Sequence, residues 1–184
     1  VQRAAASLVA VTQLGDRHSA LEAAEKLDAF CADVDILVGV NVVALEQNLF
    51  PGTKIRALAE AAGMKLSADG VFQQFDDKGQ VQFSLTNQES APFRAEEMKN
   101  LNTHGLTLLF EVPHVANGVR SFDQMVAFAH QLADALKGMM VDDNLRTLSE
   151  EGIAKIKQQL SLVYGKMDKT GIPAGSPRAM RLFS

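Results

Sequence analysis

A chain of 184 residues, 47% hydrophobic and 22% charged, can bury a core as one domain or as one domain with an appendage. Its net charge of −4, with no Lys/Arg cluster interleaved with aromatics, excludes a general nucleic-acid binder, which needs a basic face to displace phosphate counterions. Its single cysteine, Cys31, cannot close an internal disulfide, and it has no apolar run of about 18 residues to span a bilayer. The chain begins at Val1, so it is expected to be a piece of a longer protein, with any anchor or leader upstream.

The first 33 residues carry a strand-like run, Ser7 to Leu14, then Ser19 and an amphipathic helix to about Ala32. The same order of strand, loop, Ser cap and helix returns over 106–136, which is either an internal half-repeat or coincidence. Val34 to Val43 alternates as a half-buried strand: Ile36, Val38, Val40 and Val42 share one face, and Leu37, Gly39 and Asn41 the other. Phe50 to Thr53 breaks the pattern. Thr53 is the expected cap of a helix carrying Ile55, Leu58, Ala59 and Ala62, with Gly63 as its stop.

A hairpin follows. Its arms are Val71–Phe75 and Val81–Thr86, and Asp76-Asp77-Lys78-Gly79 supplies the turn chemistry. Strict alternation puts Val81, Phe83 and Leu85 on one side, and Gln82, Ser84 and Thr86 on the other. Residues 87–104 read as a long connection with one helical turn at Ala95–Lys99. Leu106 to Val112 is a further strand: Leu106, Leu108, Phe110 and Val112 face one way, and Thr107, Leu109 and Glu111 the other. Pro113 ends it. Ser121 is the expected cap of a helix with one apolar stripe from Phe122 to Leu136. Met139–Val141 is a short strand that Arg146–Leu148 can join. Ser149 opens a last helix whose core stripe is Ile153, Ile156, Leu160 and Val163. From Gly165 the chain is rich in Gly, Pro and Lys and reads as a flexible tail.

The expected fold is therefore α+β. An antiparallel or mixed sheet carries about three helices on one face, and the other face is open as a shallow groove. The expected divisions are a 1–33 extension, a 34–164 domain and a 165–184 tail.

No catalytic constellation emerges, and we expect no enzyme, cofactor or metal. His18, His104, His114 and His130 have no metal-ligand spacing and read as surface residues. Cys31 reads as a buried, inert thiol. Asp142-Asp143 reads as a turn, because neighbouring residues point apart. The methionines Met125, Met139 and Met140 read as core filling. Leu37, Val71 and Leu109 remain as outward apolar residues. If their strands are neighbours they form a patch, and patches mark binding sites. An open-sheet enzyme would need Asn41, Gln73 and Glu111 to converge in a deep cavity. RNA binding would need exposed aromatics and positive charge on the sheet, where only Phe75 is offered.

From Phe83 the order of residues becomes specific. Phe83-Ser84-Leu85-Thr86-Asn87, Glu97-Met98-Lys99, Thr103-His104-Gly105-Leu106-Thr107, Val112-Pro113, Phe122, Ala133-Asp134 and Val141-Asp142-Asp143 stand in a series. Val40-Asn41-Val42 and Ala62-Gly63 keep the same register upstream. This series resembles the ZipA C-terminal, FtsZ-binding domain family of bacterial cell division, over about Val34 to Tyr164. The resemblance implies a groove on the open sheet face that binds the C-terminal peptide of FtsZ. It also implies a membrane anchor and linker upstream, and a place on the cytoplasmic side of the inner membrane. Carried over by position, the partner-binding residues are Leu37, Gly39, Asp69, Val71, Thr86, Gln88, Thr107, Leu109 and Glu111. Family members that carry large apolar residues at the positions of Gly39, Asp69 and Gln88, and a basic one at Leu145, imply a less apolar groove here. A ZipA-like fold adapted to a different protein partner is the alternative that this difference raises.

Overall fold

The computed structural model describes residues 17–183 apart from Gln47 and Ser90. The expected strand at Ser7–Leu14 lies outside these residues. The chain divides into two units, residues 1–33 and 34–184. Helix α1 (Arg17–Val34) accounts for the described part of the first and is longer at both ends than the alternation of its apolar residues indicated.

In the second unit six strands form one sheet. They are β1 (Leu37–Ala44), β3 (Lys65–Leu66), β4 (Phe72–Phe75), β5 (Val81–Asn87), β7 (Gly105–Glu111) and β8 (Gly138–Val141). Their order is β3-β4-β5-β7-β1-β8, and every pairing is antiparallel. A second, two-stranded sheet joins β2 (Phe50–Pro51) to β6 (Asn102–Thr103), inside segments whose sequence showed no strand signal. The α+β class and the antiparallel sheet are as expected. The helices are more numerous: α2 (Gly52–Ala61), α3 (Gly118–Leu136), α4 (Glu150–Lys169) and α5 (Pro177–Leu182) follow α1, making five among the described residues where about three were expected.

The strongest amphipathic segment, α3, packs across β1, β5, β7 and β8 and buries Phe122, Met125, Val126, Phe128, Ala129, Leu132, Ala133 and Leu136. It meets Val40 and Val42 of β1, Phe83 and Leu85 of β5, and Leu106, Leu108 and Phe110 of β7 in a single core. Such dense apolar burial is the main stabilising term of a domain this size.

Capping differs from expectation at two helices. Thr53 does not cap α2; the helix starts at Gly52 behind Pro51 and has no side-chain cap. Ser121 does not cap α3 either, because that helix begins one turn earlier at Gly118. The hydroxyl of Ser121 is buried and donates to Gln82 Oε1. Ser149 does cap α4, accepting from the Gly152 amide at 3.2 Å. The Asp76–Gly79 turn is as expected: Asp76 Oδ1 accepts from the amides of Lys78 and Gln80, and Gly79 takes φ +78°.

Gln82 corrects the strict alternation read for β5. The β4–β5 register shifts between Gln74 and Phe75, so Gln74 pairs with Phe83 while Phe75 pairs with Val81. The extra residue is Gln82. A bulge of this kind turns two consecutive side chains toward one face. Gln82 therefore points to the helices and is 8% exposed, and Val81 moves to the open face.

The expected flexible tail is not observed. Helix α4 runs on to Lys169, and Met167, Ile172, Ala174 and Ala179 are buried. The hydroxyl of Tyr164 lies 3.0 Å from the Val112 carbonyl and 2.9 Å from that of Val115, tying α4 to the turn after β7. Burial pushes the Tyr164 hydroxyl far above its ordinary pKa. The Gly175 amide then donates to the Pro113 carbonyl at 2.9 Å.

Candidate functional site

Among the described residues of the second unit, α3 covers the Val40/Leu85/Leu108 face, and no helix lies as a layer over the other face at β4, β5 and β7. Register decides which residues meet there. Leu109 lies opposite Gly39 on one side and Ser84 on the other, Ser84 lies opposite Gln73, and Thr86 lies opposite Thr107. A shallow depression of about 610 Å³ runs over this half, floored by Val71, Gln73, Ser84, Thr86 and Leu109. Val81 and Met180 add apolar walls; Asp69, Glu111 and His114 supply a polar rim.

The nine carried-over residues therefore separate into groups. Asp69, Val71, Thr86, Leu109 and Glu111 share this depression. Leu37 and Gly39 line a second hollow of about 370 Å³ beside α4, with Ile156, Val163, Asp142 and Asp143. Thr107 lies between the two. Gln88 is exposed beyond the end of β5, with its side chain folded beside Gly105, where a Cβ would lie only 1.8 Å from Gln88 Oε1.

A polar chain crosses the face between the two hollows. Thr86 Oγ1 donates to the Thr107 carbonyl at 3.3 Å. Thr107 Oγ1 donates to Asn41 Oδ1 at 2.7 Å, and Asn41 Nδ2 donates to Asp143 Oδ1 at 3.2 Å. Asn41 faces outward by alternation, as read from the sequence, but it is only 7% exposed. Gly39 eases this: a Cβ there would lie 3.3 Å from Asp143 Oδ1, so a larger residue would push the Asp143 side chain back by a few tenths of an ångström. Alternation alone carries no signal for this, because it requires the turn after β8 to fold back over β1.

On the rim, His114 Nδ1 pairs with Glu111 Oε2, and His114 Nε2 is buried with no hydrogen-bond partner among the described residues. His114 is thus more covered than the surface histidine expected, because α5 packs on the 112–114 turn. Beyond the end of β5, hydrogen bonds from the side chain and backbone of His104 hold the Glu89 carboxyl below its ordinary 4.5. Among the described residues no group of three or more His, Cys, Asp or Glu could hold a metal ion. Asn41, Gln73 and Glu111 do not converge: the last two line the open depression, and Asn41 is engaged in the polar chain.

Residues 36–159 match the family model described as ZipA, C-terminal FtsZ-binding domain. The chain belongs to this family. It is similar to the cell division protein ZipA of Marinobacter nauticus, with 26% identity over 130 residues, covering 68% of this chain and 38% of that protein. It is also similar to ZipA of Shewanella amazonensis, with 29% identity over 157 residues, covering 82% of this chain and 45% of that protein. ZipA of Ectopseudomonas mendocina is 25% identical over 139 residues, 73% of this chain and 51% of that protein. The chain thus spans about half the length, or less, of these relatives. No helix among the described residues is long and apolar enough to cross a membrane. The ZipA family match ends at 159, before the last turns of α4, the 170–176 segment and α5.

Proposed function

We propose that this domain is a docking module, not an enzyme, that holds the C-terminal peptide of FtsZ on the open face of its sheet. An anchor upstream in the whole protein would place it on the cytoplasmic side of the inner membrane, tethering and bundling FtsZ filaments during septum assembly. The observation that carries this reading is the set of apolar residues Val71, Leu109 and Val81 lining one depression on the sheet face opposite α3, in a chain of an FtsZ-binding family. An extended or helical peptide laid there buries apolar side chains against them, while Asp69, Glu111 and Thr86 fix its register.

The polar chain through Thr107, Asn41 and Asp143 argues for a seat over the β4–β5–β7 half. Covering satisfied polar groups adds little apolar burial. Leu109 is then the central contact. Leu109→Asp is expected to weaken binding of a synthetic FtsZ C-terminal peptide by at least about tenfold, since a half-buried leucine contributes on the order of 1.5 kcal/mol and a desolvated carboxylate costs more. Isothermal titration calorimetry tests it. Unchanged affinity in a folded variant overturns the seat, and no binding by the parent chain would favour a different protein partner.

A further inference from the structure

The ZipA family match stops at residue 159, yet one wall of the open-face depression comes from beyond it. We propose that the C-terminal segment forms a lip on the peptide seat, with Met180 as a specificity-determining residue that contacts the apolar side of the bound FtsZ peptide. This rests on the reading of the open face as the peptide seat and adds to it a contact from outside the matched segment.

The lip is held from several sides. Tyr164 fixes α4 to the turn at Val112–Val115 through its hydroxyl. Gly175, at φ +70°, donates its amide to the Pro113 carbonyl. A Cβ on Gly175 would lie 2.9 Å from both the Cβ and the amide nitrogen of Ala116, so only glycine lets the two segments come this close. Ser176 caps α5, accepting from the Ala179 amide at 3.2 Å, and Pro177 starts the helix with its fixed φ. Ala179 is fully buried on the inner side of this turn. Its neighbour Met180 is 40% exposed and lines the depression with Val71, Val81 and Leu109.

The chemistry suits the place. The seat carries Asp69 on its rim and Gln73, Ser84 and Thr86 on its floor, so its apolar contacts are few. An unbranched, polarizable thioether restores apolar contact and adapts its shape to a partner. Because the side chain stands on an anchored turn, ordering it on binding costs less than ordering a free tail.

The test uses the full chain and a fluorescently labelled synthetic FtsZ C-terminal peptide, titrated by anisotropy against the parent, Met180→Asp, Met180→Leu and Leu109→Asp proteins. Met180→Asp is expected to raise Kd about tenfold, the loss of one partly buried apolar contact. Met180→Leu should stay within about twofold of the parent. Melting midpoints should match, since Met180 is outside the core. If Met180→Asp lowers the midpoint, Met180→Gln replaces it. Binding by Met180→Asp within twofold of the parent, with Leu109→Asp still weakened, overturns the lip and leaves the seat standing. Full binding by both variants overturns the seat and the lip together. A Met180→Leu protein as weak as Met180→Asp overturns the apolar role assigned to the side chain.

Discussion

The two faces of strand β7 are a controlled comparison, because one backbone presents both. Leu106, Leu108 and Phe110 point to α3 and are fully buried. Thr107, Leu109 and Glu111 alternate with them and point to the open side, where burial falls from partial to slight. Core and proposed docking surface thus differ by a single residue step, and what distinguishes them is the helical layer over one side. Period-two alternation lets a seven-residue strand bury one set of side chains in the core and present the other on the open face.

The sharpest way to break that comparison is to truncate the two adjacent leucines separately. Leu108→Ala should cost about 2–5 kcal/mol of folding stability, because its site is enclosed by the β1, β5 and α3 core and cannot collapse around the cavity. Leu109→Ala should cost less than about 1.5 kcal/mol, since its methyls already meet solvent. Urea unfolding of the two variants checks this. Equal losses would mean that the open face is as closely packed as the core.

Next in size is the place where alternation fails. At the β5 bulge, Gln82 points into the helical side and accepts from the buried Ser121 hydroxyl. Gln82→Ala removes the acceptor of that buried hydroxyl, with an expected loss of about 1–3 kcal/mol. The double variant Gln82→Ala with Ser121→Ala should lose less than the sum of the two single variants, and a thermodynamic cycle from urea midpoints measures the difference. An additive cycle would show that the pair does not act as a unit.

Those two results also mark what the sequence could reveal. Alternation in β1 and β7 and the stripe of α3 separated core from open face because nothing interrupts their periods. The Asp76–Gly79 turn was legible because its geometry needs residues that few other turns use. The bulge was not, since an inserted residue leaves no chemical mark in Val81-Gln82-Phe83 and is set by pairing with β4. Ser121 read as a helix cap for a related reason: a serine before an apolar stripe looks the same whether it caps a helix or sits inside its first turns. The C-terminal segment was misread because Gly, Pro and Lys were weighed as loop chemistry. Gly175 and Pro177 in fact serve a close approach and a helix start, and the first depends on contacts with Pro113 and Ala116 far away in the chain. Within the candidate site, Val71, Leu109 and Glu111 followed from period and resemblance together. Met180 and Asp143 come from segments that only folding brings to the sheet.

The smallest expected effect separates the two halves of the open face. Asn41 accepts a hydrogen bond from the Thr107 hydroxyl and donates one to Asp143, between the two hollows. In Asn41→Ala, Asp143 is already exposed and regains water, and the half-buried Thr107 hydroxyl can also reach solvent, so the stability loss should stay near about 1 kcal/mol. Binding is the more telling readout. If the peptide lies over β4, β5 and β7, its contacts do not include Asn41, and Kd should change by less than about threefold. A loss above about tenfold, with the melting midpoint still within a few degrees of the parent, would instead place part of the peptide over β1. Leu37, 57% exposed, and the hollow beside α4 would then join the seat. The polar chain would in that case register the peptide by hydrogen bonds, and the division between a recognising half and a merely satisfied half of the sheet would fail.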